Sequence, residues 1–181
     1  MIKTLDHIAF RVNNNNHKKT CDMFVNLFGY EIVDEFEPEF PDGTTQDTIC
    51  TVLSPKGLNN SKEPRIIEQN GITYQTMPDI FISSSSDPNS VVAKYVANRD
   101  SIGAPHHFAF STDSVTDTMK KFHAANMEFL TDSPMICEEL TQVFTRPSDL
   151  VNIIFEFIER RQASFCRSSV GRLMDSTKEC K

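Results

Sequence analysis

Tryptophan is absent from this chain of 181 residues, glycine occurs only six times, and acidic side chains outnumber basic ones by 25 to 18. The net charge of −7 argues against nucleic acid or an anionic membrane surface as a partner, because both select basic patches. No long run of Lys or Arg overrides that total. No apolar stretch approaches the roughly 20 residues of a membrane-spanning helix, and residues 1–6 carry no apolar signal core. The five cysteines (Cys21, Cys50, Cys137, Cys166 and Cys180) include no Cys-x-x-Cys pair, so they read as ordinary thiols of a reducing compartment rather than a zinc knot or a redox dithiol. These absences lead to the expectation of a soluble, cytoplasmic chain whose partner is a small-molecule substrate. At this length a single compact domain is expected.

What the chain does contain is one short phrase, twice. Leu5-Asp6-His7-Ile8-Ala9-Phe10 and Pro105-His106-His107-Phe108-Ala109-Phe110 each place a histidine before x-Ala-Phe, 100 residues apart. Such self-similarity marks two copies of one structural unit. The period-two alternation makes both strands, and pseudo-symmetry would aim both imidazoles at one point. A third residue belongs with them. Glu156 interrupts the apolar run 152–158, where a lone carboxylate is costly unless it is paired or bound to metal. Two histidines and a carboxylate, His7, His107 and Glu156, are the ligand set of an open divalent-metal site. His106 is expected on the opposite, exposed face of its strand, and His17 and His123 on solvated helix surfaces.

The remaining elements repeat as well. After a polar break at 13–16, residues 17–28 place Cys21, Phe24, Val25 and Phe28 at helical spacing, and Gly29 stops that helix. Strands are predicted over 30–36 and 47–53. Residues 54–90 offer two candidates for the next strand, 64–69 and 79–83. If the first is correct, Glu68 matches Glu156 and the metal has four protein ligands; if the second, it has three. A short helix follows at 91–97. In the second half, Ser114 and Asp117 announce a helix whose face is Val115, Met119, Phe122 and Ala125. Strands at 127–130, 140–145 and 152–158 complete a second β-α-β-β-β unit, and the tail with Phe165, Val170 and Leu173 reads as an amphipathic helix.

Paired βαβββ units with His on each first strand and Glu on the last resemble the vicinal-oxygen-chelate superfamily. Gly103 to Phe110, Gln142-Val143-Phe144-Thr145-Arg146-Pro147 and Phe155-Glu156-Phe157-Ile158-Glu159-Arg160 make the second half most similar to the metal-binding domain of 4-hydroxyphenylpyruvate dioxygenase. The stretch from Leu53 to Ser90 departs from that family. The resemblance implies an α+β fold in which two βαβββ modules (about 3–100 and 103–160) form a cup-shaped mixed sheet around a metal site, glyoxalase-like, with a C-terminal helix over 161–181. It further implies His7, His107 and Glu156 as iron ligands, Gln142 and Phe144 lining the substrate cavity, and a C-terminal helix that gates it.

Three function classes follow. The resemblance favours the first, a non-haem iron(II) dioxygenase acting on a chelating 2-oxo acid, which three ligands suit. Four, with Glu68, suit a metal-dependent epimerase, isomerase or glyoxalase-type lyase, in which cobalt, nickel, zinc or manganese serves as well as iron. The third class is a non-catalytic small-molecule-binding protein of the same fold, against which the buried ligand set argues. The sequence leaves open whether two chains pair as a homodimer.

Overall fold

A computed structural model describes residues 1–57 and 66–178 of the chain. Pro64 and Arg65, in one candidate strand, and Cys180 lie outside the described residues.

The first strand, β1 (Ile2–Val12), shows how alternation divides the molecule. Its even-numbered residues Ile8, Phe10 and Val12 pack with Leu53, Ile80 and Ile82 against Cys21, Phe24 and Val25 of α1 (His17–Phe28). Its odd-numbered residues His7, Ala9 and Arg11 face a cavity on the other side. Gly29 ends α1 in the left-handed region (φ 72°), a conformation that disfavours any residue with a Cβ. The imperfect alternation of β2 (Tyr30–Phe36) has a cause: its pairing with β3 (Thr48–Pro55) slips between Ile32 and Asp34, a bulge that resets which side chains face inward.

The competition between strand candidates is settled by pairing. Strand β6 (Asp79–Ser85) runs parallel to β1 and antiparallel to β3. Residues Ile66–Gln69 instead form β4, which among the described residues pairs with β5 (Ile72–Gln75) in a separate two-stranded sheet. Asn70 and Gly71, at φ 55° and 73°, make the tight turn of that hairpin.

The second half repeats the first. Strand β7 (Gly103–Thr112) is followed by α3 (Val115–His123), whose N-cap Ser114 Oγ accepts from the Asp117 amide at 3.2 Å. Strands β8 (Met135–Ile136), β9 (Leu140–Phe144) and β10 (Ile154–Arg160) then close the unit. The eight-stranded sheet has the order β2-β3-β6-β1-β7-β10-β9-β8. Outward from the central β1–β7 pair, fourth, third and second strands follow on both sides. The expected α+β architecture of two βαβββ units is therefore present, joined by the two first strands in antiparallel register.

One strand differs from expectation. Residues 127–130 form no ladder; a single bridge joins Phe129 to Thr145, and the second strand is the short β8. Met127 and Phe129 instead pack against Val115, Val143 and Phe157 under α3, so their apolar character serves a core contact. Two further helices lie on the cavity side of the sheet: α2 (Val91–Ala97), preceding β7, and α4 (Arg167–Ser176), which contributes Val170, Leu173 and Met174 to the cavity wall. No helix among the described residues is long and apolar enough to cross a membrane.

Candidate metal centre

The register of the central strands explains the repeated phrase. Ala9 pairs with His107, and His7 pairs with Ala109. Each alanine thus lies beside the other strand's histidine, where a methyl group leaves room for the imidazole. On the next strand Glu156 also pairs with Ala109. Three side chains from three adjacent strands meet over two methyl groups.

Their donor atoms converge. His7 Nε2 lies 3.1 Å from His107 Nε2 and 3.2 Å from Glu156 Oε2, and His107 Nε2 lies 3.3 Å from the same oxygen. All three residues are buried. Such separations are what ligands holding one cation at roughly 2.0–2.2 Å would show. Glu156 Oε1 is buried with no hydrogen-bond partner, an arrangement that is costly for a carboxylate unless a further group completes it. The residues therefore fit a divalent cation.

Supporting groups fix both imidazoles. His7 Nδ1 lies 2.8 Å from Asp6 Oδ1, and Asp6 is clamped by Arg160 through Nε (2.8 Å) and Nη2 (2.7 Å). A carboxylate on Nδ1 keeps the proton there and turns the Nε2 lone pair inward. His107 Nδ1 lies 2.9 Å from His106 Nδ1. For His107 Nε2 to serve as a ligand, its Nδ1–H must donate to His106, which is then neutral with its proton on Nε2.

His106 was expected on the exposed face and is buried instead. The cause is a bulge: Ala9 pairs with His107 but Phe10 pairs with Pro105, leaving His106 as an extra residue and turning its ring into the cavity wall. His17, expected to be solvated, is also buried. Its Nδ1 lies 2.7 Å from Ser84 Oγ and its Nε2 2.8 Å from Thr51 Oγ1, so strand hydroxyls satisfy both ring nitrogens. His123 is exposed as expected.

Glu68 lies exposed in the β4–β5 hairpin opposite Thr73, outside the cavity. The position matching Glu156 in the first half is Phe81, since Phe81 pairs with Ala9 as Glu156 does with Ala109. The described cluster thus holds three ligating side chains, not four. Gln142 and Phe144 line the same cavity, as do Arg11, Phe81 and Phe165. Sequence reasoning missed Arg11, although its place two residues beyond Ala9 on the inward face would have marked it. Val170, Leu173 and Met174 of α4 narrow the cavity beside the three side chains, where a space of about 20 Å³ has room for an ion or a water molecule.

The charges are shared unevenly. Burial would depress the His7 pKa, but the charge of Glu156 and hydrogen bonds with Asp6 and Glu156 hold it up at about 9. Burial would raise Glu156, but the His7 charge and both imidazole hydrogen bonds bring it down to about 2. Burial keeps His107 below the usual histidine value despite Glu156, and pushes His106 further down with help from Arg11 and His107. Without metal His7 is therefore an imidazolium, its additional proton on Nε2 facing an ionised Glu156. A cation must expel that proton. Below about pH 9 each metal ion bound should release one proton, and affinity should rise about tenfold per pH unit before levelling off. Calorimetric titration in buffers of different ionisation enthalpy measures this, and metal uptake without proton release at pH 7 would contradict the assignment.

No family model matches the sequence, and no curated protein matches it. Solved structures do. A methylmalonyl-CoA epimerase superimposes with a TM-score of 0.64 at 16% identity, covering 88% of this chain and 97% of that one. The methylmalonyl-CoA epimerase of Mycobacterium tuberculosis gives 0.61 at 16%, covering 88% and 89%. A variant of the Streptomyces coelicolor enzyme in complex with 2-nitronate-propionyl-CoA gives 0.62 at 17%, covering 89% and 99%. The fold is thus the vicinal-oxygen-chelate, glyoxalase-like fold of these epimerases. The dioxygenase likeness of the second half gains no support from them.

Proposed function

We propose that this chain is a divalent-metal-dependent enzyme whose substrate chelates the metal through two oxygens, and that its reaction is a proton transfer beside a carbonyl, of the epimerase and isomerase class. The observation that carries this reading is Glu156. Its Oε2 lies with the two imidazole nitrogens, while Oε1 is buried and free. A carboxylate oxygen so placed accepts a proton from a carbon held against it. His7, His107 and Glu156 would hold the cation, which when bound supplies Lewis-acid polarisation of the substrate carbonyl. These donors suit iron(II), cobalt, nickel, zinc or manganese.

The other cavity residues have roles that follow from their chemistry. Arg11 brings a buried guanidinium to the wall, which suits a substrate carboxylate. Gln142 offers an amide, and Phe81 and Phe144 offer flat apolar surfaces that exclude water. Because Val170, Leu173 and Met174 of α4 form part of the cavity wall, the position of that helix governs substrate entry. The neighbours support the reaction class, since one is a methylmalonyl-CoA epimerase in complex with methylmalonyl-CoA.

A second reading, a non-haem iron(II) dioxygenase acting on a 2-oxo acid, is favoured by one specific observation. Phe81 stands where a fourth ligand would be, and a two-histidine, one-carboxylate set with open positions suits oxygen chemistry. Anaerobic incubation in deuterium oxide separates the two. With methylmalonyl-CoA and a panel of 2-oxo acids as probes, the proposed reading expects metal-dependent exchange of the hydrogen beside the carbonyl, lost in Glu156→Gln. Oxygen uptake matched to carbon dioxide release, without anaerobic exchange, would overturn it in favour of the dioxygenase.

A further inference from the structure

A second group of ligating side chains converges beside the start of α4, well separated in sequence. Cys137 and Glu139, in the turn between β8 and β9, and Cys166, immediately before α4, bring two sulfurs and a carboxylate oxygen within 4.8 Å of one another. The backbone builds this arrangement. The Cys137 amide donates to the Leu140 carbonyl at 3.0 Å, and the amides of Arg161 and Gln162 donate to the Glu139 carbonyl at 2.8 and 2.9 Å. The segment leading into α4 is thereby docked on the turn. The Cys137 thiol donates to the Leu140 carbonyl at 3.4 Å, and the Cys166 sulfur lies 3.4 Å from Ser168 Oγ.

An independent sign points to a missing atom. Ser169, three residues beyond Cys166, is 1% exposed, and its hydroxyl has no hydrogen-bond partner. Leaving a buried hydroxyl unsatisfied is unfavourable unless something else occupies the space it faces. Arg161 adds a compensating charge: it donates to the Cys137 carbonyl and, through Nη1, to Thr141 Oγ1 at 2.9 Å.

We propose that Cys137, Glu139 and Cys166 form a second metal site, for a thiophilic divalent cation such as zinc, which fastens the start of α4 to the β8–β9 turn. Two sulfur donors and one oxygen select against magnesium and calcium, and zinc accepts this ligand set in tetrahedral geometry with one further oxygen, for which the unpartnered Ser169 hydroxyl is the candidate. Both thiols give up their protons to solvent on binding. The cation and Arg161 together then offset the three negative charges of two thiolates and a carboxylate. The site is independent of the chemistry proposed for the cavity, but it anchors the helix that covers it.

Cobalt(II), titrated into the full, reduced, metal-free protein, is the probe. The expected result is a sulfur-to-cobalt charge-transfer absorption that saturates by two equivalents, one for each site, saturates at one equivalent in His107→Ala and disappears in Cys137→Ser. Glu139 packs little against the core, so Glu139→Gln should fold normally and retain the absorption with cobalt affinity lowered at least tenfold, or about 1.4 kcal/mol. Absence of the absorption in the unmodified protein, its survival at full intensity in Cys137→Ser, or an unchanged affinity in Glu139→Gln would each overturn the proposal.

Discussion

Glu156→Ala should remove the divalent metal of the cavity and all turnover that depends on it, while Glu68→Ala should change neither. Changing a residue that merely orients a metal ligand lowers affinity by about 10- to 100-fold, so deleting a ligand outright should exceed the upper end of that range. The same substitution unbalances the metal-free protein. His7 carries its proton because Glu156 faces it, and breaking a buried pair by removing one partner costs about 3–5 kcal/mol. The loss is moderated because His7 can shed its proton to solvent while Asp6 continues to hold its ring. The folded variant should therefore be less stable and metal-poor. Elemental analysis after loading with iron(II), run beside Cys137→Ser to set aside any ion at the thiols, measures it. Unchanged occupancy of the cavity site in Glu156→Ala would refute the ligand assignment.

The three converging side chains were legible because two patterns coincide: period-two alternation puts each histidine inward, and duplication makes the two histidines equivalent. What escaped reading depends on relations between strands distant in sequence. His106 faces the cavity only because β1 and β7 slip by one residue at Ala9–Phe10, and a slip belongs to the pair, not to either strand. His17 is satisfied by hydroxyls of Thr51 and Ser84, 34 and 67 residues away, which no helical pattern reveals. The segments 64–69 and 79–83 are both strand-like in composition, and only parallel pairing with β1 separates them. Residues 127–130 show the converse: β-like composition was spent on packing under α3. The thiol and carboxylate group beside α4 was invisible for the same reason as His17, since cysteines 29 positions apart meet only once the chain end folds back over the sheet.

Gly171→Ala should have the largest effect on stability of any single methyl added to the chain. A Cβ at residue 171 would lie 2.0 Å from the Glu39 carbonyl oxygen, 2.4 Å from its carbon and 2.8 Å from the Phe40 nitrogen. These are backbone atoms, so no side-chain rotation relieves the clash. Nor can the 39–40 segment retreat easily: the Glu39 amide donates to the Arg167 carbonyl at 3.2 Å, and Phe40 is packed in the cluster that holds Phe165, Val170 and Met174. Overpacking commonly costs about 1–3 kcal/mol, and a backbone collision belongs at the upper end. For a domain of this size, about 3 kcal/mol corresponds to a melting temperature lowered by roughly 6–12 °C. Gly29→Ala is the comparison, because that site has open space and only the left-handed backbone to strain, worth about 1 kcal/mol. The functional consequence separates lid from site. His7, His107 and Glu156 come from the sheet, so Gly171→Ala should bind metal at unchanged stoichiometry, while displacement of α4 should let a chelator strip it faster. A variant that melts like the parent and loses metal no faster would mean that α4 neither seats on Glu39 nor covers the cavity.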